Sequence, residues 1–433
     1  MGQAILPVLA AEGGGATAEG GGATQKLTFR DALSRAVAVN NTVERSRAEV
    51  GAANENRKFL LSSILPQVNA TGSTIKNSTE VSFGSGGDQR IILPESDWNY
   101  RIVLSQPVFA GLREKRAYDQ AKLGVENARQ GVLGTEDAVM LRVASNYFGV
   151  VDADARIAIE KQNIALAQKR LEQANAFYKA GEVTRVDVLR AETAIKAAQR
   201  LLAVAQQNRE EAVSRLRADL NLDGDIQAER PSNPLPPLPD ENALVARAED
   251  RRPDVEQAQN NVKSAKLEIQ KQKGFWLPVV TFDAGYINQK SAFPASKYSY
   301  GAFRFSVPIW DSAQTRARVA QAREREIQAN LMLADTKAAA REDVRTATSA
   351  LRQSETALQL AKDQLAAAEA EYQQAFELYR AQETTSLDLA ASETSLADAR
   401  RAVQEETLNH DLAQLRVWYA AGALKDAVGV TQP

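Results

Sequence analysis

Two short segments place threonine, aspartate and tyrosine side chains in the same order. Residues 178–193 read YKAGEVTRVDVLRAET and residues 379–394 read YRAQETTSLDLAASET. In both, a threonine precedes an aspartate by three residues: Thr184-Arg185-Val186-Asp187 and Thr385-Ser386-Leu387-Asp388. That [ST]-x-x-[DE] spacing lets a hydroxyl and a carboxylate satisfy the free N–H groups of a helix start, with Asp in place of the usual Glu. Little else could do chemistry. The chain has no cysteine, which excludes thiolate metal sites, disulfides, thiol catalysis and lipid attachment to an N-terminal cysteine. A single histidine, His410, excludes multi-histidine metal sites, and its place in a helix near Trp418 reads as a surface or packing position. No nucleophile–base spacing or phosphate loop is present. The tandem AEGGGAT at 11–17 and 18–24 lacks a lysine and a following helix signal, and reads as a flexible linker. Arg113-Glu114-Lys115-Arg116 reads as a solvated helix start. The expectation is a non-enzyme with no catalytic residue, metal or cofactor.

The elements that must carry these segments are of two materials. The 433 residues hold 53 Lys and Arg against 55 Asp and Glu, a net charge of −2, so there is no basic footprint for nucleic acid. No run approaches the ~18 consecutive apolar residues of a membrane helix, which leaves a β-barrel open because its strands alternate. Windows 65–110 and 275–310 hold 14 of the 26 aromatic residues but only 11 of 108 charges. Long, charged, Ala-rich segments surround them.

The second half repeats the first. The two segments quoted above are identical at seven of 16 positions at an offset of 201, where chance gives about one or two. The same offset pairs Ser105-Gln106-Pro107-Val108-Phe109 with Ser306-Val307-Pro308-Ile309-Trp310. Upstream the offset is 212, pairing Leu65-Pro66 with Leu277-Pro278 and Val43 with Val255. Within the windows residues alternate as in half-exposed strands. Trp98, Tyr100, Ile102 and Leu104 oppose Asn99, Arg101 and Val103, while Val280, Phe282, Ala284 and Tyr286 oppose Thr281, Asp283 and Gly285. Each window is expected to be a hairpin, with tips near Gly84–Asp88 and Ser291–Ser296. A soluble sheet burying one face would alternate in the same way.

Residues 112–178 and 313–379 each run 67 residues without proline, or about 100 Å as helix. Shorter helices are expected at 31–62, 185–222, 241–273 and 386–422. The expected organisation is a signal remnant and linker over 1–26, with a Val8-Leu9-Ala10 cleavage pattern, then a first repeat over 27–222. A Pro-rich linker over 223–240, a second repeat over 241–422 and a tail over 423–433 follow. A rod of this kind buries little apolar surface alone, and oligomerisation is the natural remedy.

Taken together, the duplication, the Arg252-Pro253-Asp254-Val255 segment, the Leu-Pro strand starts, the Gln-Pro-Val-Phe strand end and the Gly181-Glu182-Val183-Thr184 turn resemble the outer membrane efflux protein family of TolC type. The resemblance runs from about residue 27 to the end of the helices. It implies a mostly α fold with a β contribution. A homotrimer would give four strands per protomer to one twelve-stranded barrel in outer-membrane lipid. The helices would form a periplasmic α-barrel tunnel with a mixed equatorial band. It also implies two partners: a periplasmic adaptor protein and an inner-membrane transporter of the RND, ABC or MFS type. The chain would then be the passive exit duct of a tripartite efflux or type I secretion system. Trp98, Tyr100, Phe275, Trp276 and Trp310, near strand ends, suit an interfacial belt.

By the same resemblance the helical tips form the periplasmic entrance. Ala180, Gly181 and Glu182, with Ala381, Gln382 and Glu383, would dock the adaptor. The gate positions are Asp187, Tyr379, Thr384 and Asp388. The family's first-tip aspartate pairs with a second-tip tyrosine, here Asp187 with Tyr379. An arginine of the type member aligns with Thr384. The acidic entrance ring aligns with Asp388, and a second acid three residues on is Ala391. A soluble periplasmic coiled-coil scaffold would explain the helices but not two matched aromatic hairpins.

Overall fold

A computed structural model of the chain describes residues 25–84, 90–231, 235–290 and 295–429. The expected signal remnant lies outside these, as do both hairpin tips apart from Gly84, Ala295 and Ser296. The elements in chain order are β1 (Gln25–Leu27), α1 (Phe29–Val39), α2 (Asn41–Ser62), β2 (Gln67–Lys76), β3 (Val81–Phe83), β4 (Arg90–Leu93) and β5 (Ser96–Ala110). Next come α3 (Arg113–Lys179), α4 (Arg185–Leu220), β6 (Ile226–Ala228), α5 (Glu241–Arg251), α6 (Pro253–Lys273) and a 3-10 turn at Gly274–Trp276. The last are β7 (Val279–Gln289), β8 (Lys297–Ser306), α7 (Gln314–Arg380), α8 (Ser386–Ala420) and α9 (Leu424–Val428). The two 67-residue helices fall within one residue of the expected spans.

Four strands form one antiparallel sheet in the order β2-β5-β7-β8. The register aligns the two alternations across the whole sheet. Val68, Leu104, Ala284 and Gly301 lie in one cross-strand row, and Ala70, Ile102, Tyr286 and Ser299 in the next. On the opposite face, Thr71, Arg101 and Ile287 lie in one cross-strand row, and Arg304 reaches Asp283 at 3.1 Å. One face is thus largely apolar and the other polar. Two glycines sit under tyrosines: Gly72 opposite Tyr100 and Gly285 opposite Tyr300, where a Cβ would meet the ring within 3 Å. The strands of 10–15 residues reach the 9–11 that cross a bilayer when tilted. Among the described residues, β2 and β8 each pair on one side only.

Both strand-to-helix corners need left-handed backbone. Gly111-Leu112 takes φ +64° and +62°, and Ser312-Ala313 at the repeat-equivalent place takes +53° and +64°. Only the first corner spends a glycine, because there the backbone of Gly274 lies 2.1 Å from a Cβ position.

The two shorter upstream helical stretches each break once, at Asn40 and at Arg252, which are repeat equivalents. The expected single helices over 31–62 and 241–273 are therefore pairs. The reason is local capping. Asn40 Oδ1 accepts from the Thr42 N–H at 2.9 Å, and its amide donates to the Asp219 carbonyl at 3.2 Å. Arg252, followed by proline at the first position of α6, donates to Asp254 through Nε and Nη2 at 2.8 and 2.7 Å and to Asp343 through Nη1 at 2.7 Å. These contacts hold its guanidinium well above the ordinary range. Val43 and Val255, one turn on, are both fully buried.

The main core lies where these breaks meet the middle of the long helices. Val139, Val143 and Val150 of α3 and their copies Ala340, Val344 and Leu351 of α7 are all buried in it. Segments expected as connections close it. Residues 25 and 26, expected as linker, are strand together with Leu27, pairing in parallel with β6, which lies within the Pro-rich stretch. The expected C-terminal tail contains α9, with Leu424 and Val428 buried. Lys425 Nζ lies 2.5 Å from Glu136, a fully buried carboxylate that Arg47 also reaches at 3.2 Å. Next to it, burial pushes the Asp137 carboxyl up to about 6. The folded chain holds that proton more tightly than the unfolded one. This group's contribution to stability is therefore full at acid pH and is lost as pH rises to about 6.

Tyr147 carries the β1 attachment. Its buried hydroxyl sits 3.0 Å from the Leu27 carbonyl and 2.7 Å from that of Glu229, and burial pushes its pKa up to about 12. The hydroxyl has one proton, shared between the two carbonyls, and Tyr147→Phe, which removes it, should cost about 1–3 kcal/mol. Thermal unfolding should shift down, with faster amide hydrogen exchange at residues 25–28. An unchanged profile would mean that β1 is held by other contacts.

Candidate functional site

The far ends of the two helical hairpins, α3–α4 and α7–α8, come together opposite the sheet. Each long helix stops by wrapping its last carbonyls. Gly181 and Glu182 donate to Tyr178 and Phe177 at 3.0 and 2.9 Å. Gln382 and Glu383 donate to Tyr379 and Leu378 at 3.1 and 2.8 Å. This turn needs one left-handed residue. The first tip uses Gly181 (φ +77°), and the second places Gln382 there (φ +64°). The Gln382 side chain then donates to Glu182 Oε2 at 2.5 Å, linking the two turns. Ala180 and Ala381 are the last right-handed residues before them. Glu383 is the turn residue that precedes Thr384.

Both aspartates cap the following helix. Asp388 Oδ2 accepts from the Thr385 N–H (3.2 Å) and hydroxyl (2.6 Å) and from the Thr384 hydroxyl (2.9 Å), and the Asp388 N–H donates to Thr385 Oγ at 3.2 Å. These bonds hold its carboxyl below the usual range, with Thr385 the chief cause. Asp187 Oδ2 accepts from the Thr184 N–H (3.1 Å) and hydroxyl (2.8 Å). Its Oδ1 accepts from the Ser386 hydroxyl at 2.5 Å, across the tips, and Arg190 lies 3.6 Å away. The Ser386 bond is the main reason that its carboxyl also lies low.

The Asp187–Tyr379 hydrogen bond implied by resemblance is not formed among the described residues; the cross-tip donor to Asp187 is the Ser386 hydroxyl. Tyr379 is only 4% exposed, packs edge-on against Phe177 at 5.6 Å, and its hydroxyl has no hydrogen-bond partner. Burial raises its pKa, and Asp187 and Glu393 add to that rise while Arg170 opposes it. A cleft of about 540 Å³ opens between the tips, lined by Asp187, Tyr379, Thr384 and Ser386 among others.

Three contributors were not singled out in the sequence: Ser386, Arg170 and Glu393. Arg170, 5% exposed, donates to Glu393 Oε2 at 3.0 Å and to the Ser386 carbonyl at 3.0 Å, so one guanidinium locks α3 to the start of α8. Burial pushes the Glu393 carboxyl up against the pull of Arg170. The available signal was Arg170 itself, a charge in the buried stripe Ala167, Arg170, Ala174.

The belt residues fall at two levels. Trp98 and Tyr100 pair at 5.4 Å on the end of the sheet away from the helices. Trp276 and Trp310 flank β7 and β8 at the helix end. Phe275 beside them is held between the guanidiniums of Arg113 (4.5 Å) and Arg318 (4.6 Å).

A sheet with one apolar face, joined to a rod of long paired helices and repeated within one chain, defines the class of outer membrane efflux channels. The chain belongs to the outer membrane efflux protein family, whose model matches residues 32–222 and 244–423, and it resides in the outer membrane. It is 23% identical over 409 residues to the outer membrane efflux protein BepC of Brucella suis biovar 1, covering 93% of this chain and 85% of that one. Its fold matches the channel-forming CusC at a TM-score of 0.78, with 17% identity and coverage of 91% and 92% of the two chains. It also matches the open-state MtrE outer membrane channel of Neisseria gonorrhoeae at 0.75, with 18% identity and coverage of 93% and 91%. The first of these relatives is an efflux protein by name, and the other two are channels.

Ser386→Ala removes the one direct hydrogen bond between the aspartate of the first tip and the second tip. The expected loss is about 1 kcal/mol of local stability. Amide exchange over 380–388 should quicken while the equatorial core stays protected. Equal protection in both proteins would leave Arg170 and Gln382 as the sufficient ties.

Proposed function

We propose that three copies of this chain form a passive exit duct. Their sheets close one twelve-stranded barrel, and their helices form a tunnel that receives cargo from an inner-membrane transporter through a periplasmic adaptor. The observation that carries the trimer is the sheet itself. Its apolar face calls for lipid, yet β2 and β8 present unpaired edges, and unpaired backbone groups in hydrocarbon cost several kcal/mol each. Pairing β8 of one copy with β2 of the next removes every edge. Exposed Ile327, Leu331 and Met332 on α7 supply apolar surface for the same contact. The adaptor and transporter rest on family membership, and the turn residues 180–182 and 381–383 are where the adaptor would dock. Mass measurement in mild detergent should give three copies, and a stable detergent-free monomer would end this reading.

The tips are the entrance in this reading. Asp187 and Ser386 tie the two hairpins and hold the entrance closed, with Tyr379 packed behind them. Asp388 adds one exposed carboxylate per protomer, which threefold symmetry would gather around the axis. Its capping and charge-filtering roles are separable, because asparagine keeps a capping acceptor and removes the charge. In planar bilayers Asp187→Ala should raise single-channel conductance. Asp388→Asn should lose cation preference and trivalent-cation block with an unchanged melting temperature. Wild-type block and selectivity in Asp388→Asn would leave that residue a helix cap alone.

A further inference from the structure

The rod is electrically polar in a way that neither the efflux role nor the tips account for. Four helix ends meet the sheet: the last ten residues of α2 and α6 and the first ten of α3 and α7. Those forty residues hold twelve Lys and Arg and four Asp and Glu, a net of +8 in a chain whose net charge is −2. The four equivalent ten-residue ends at the tips hold five basic and seven acidic residues, a net of −2. The positive charge is therefore concentrated at the sheet.

Three of the four acids in this collar are already engaged. Glu55 is bound by Lys58 at 2.7 Å, Asp119 by Lys122 and Arg116 at 3.5 and 3.7 Å, and Glu268 by Lys271 at 2.6 Å. Lys115, Lys273 and Arg316 are exposed and have no ion-pair partner among the described residues. Lys115 and Arg316 are repeat equivalents, each the third residue of its long helix. All three lie within about one helical turn, or 5 Å, of the helix end at the sheet. Between these helix ends and the strands lie exposed apolar residues, with Ile309 96% and Trp310 86% exposed and Trp276 half-exposed. Exposed apolar residues beside unpaired cations match acyl chains beside phosphate headgroups.

We propose that this collar binds the headgroups of anionic phospholipids in the periplasmic leaflet and so fixes the depth of the barrel. The proposal rests on the barrel reading above, which supplies the membrane plane. Each unpaired Lys or Arg near such a surface adds a further increment of attraction, and the contact is screened by salt.

The test offers delipidated trimer in neutral detergent either phosphatidylglycerol or phosphatidylcholine, and counts retained lipids by native mass spectrometry at low and high salt. Wild type should retain phosphatidylglycerol selectively and release it in high salt. The triple variant Lys115→Gln, Lys273→Gln, Arg316→Gln should bind it roughly tenfold or more weakly, as an intact trimer with unchanged conductance. Equal retention of both lipids by wild type overturns the proposal. So does wild-type retention by the variant, and so does a changed conductance with unchanged retention, which would place these cations in the lumen. Should the variant fail to assemble, lipid selectivity and salt release in wild type decide. A wild-type protein that stays monomeric strikes the barrel reading, and its lipid count still reports on the collar.

Discussion

A β-strand in lipid has nowhere to send an unpaired N–H or C=O except another strand. This chain contributes four strands and therefore two open edges, and much of its architecture follows from that shortage. Four strands do not close a barrel wide enough for a channel, and in the proposed duct the missing pairs come from identical chains. Duplication within the chain eases the geometry. Each repeat supplies one hairpin, one long helix and the shorter helices beside it, and the two copies differ mainly in local detail. Gly111 is the repeat equivalent of Ser312, Asn40 of Arg252, and Gly181 of Gln382. In each pair the backbone task is the same and the side chain differs with what lies opposite.

The rod has little core to spend. Its largest cluster sits at mid-length, where the helix breaks, the short β1–β6 pair and α9 add a second layer to the long helices. Toward the tips the buried residues fall into two smaller groups, one around Tyr372, Tyr379, Leu389 and Leu396 and one of Ala174, Val188 and Ala191. Polar ties take over there. Arg170 holds Glu393 and the Ser386 carbonyl, Ser386 holds Asp187, and Gln382 holds Glu182. The Ser386 and Gln382 bonds lie at a part-wet surface, are worth little singly and break without leaving a cavity, while the Arg170–Glu393 pair is buried. A deep apolar core would resist the same movement. In the entrance proposed above, this hydrogen-bonded tip is the part of the molecule suited to opening.

Much of this was legible in the residues themselves. The period-2 alternation set the faces of the sheet, because a one-residue slip would turn Phe282 and Tyr286 from the apolar face to the face of Asp283. The absence of proline over 67 residues set the long helices, and the threonine–aspartate spacing set both caps. These are local properties, decided by a residue and its near neighbours. What the sequence left open was decided between segments distant in the chain. Residues 25–27 are strand only because β6 lies beside them, and α9 docks because Glu136, 289 residues away, needs Lys425. Asp187 is a cap by its own sequence. That its second oxygen goes to Ser386 and not to Tyr379 is a matter of how two hairpin tips meet, which no spacing within either tip encodes.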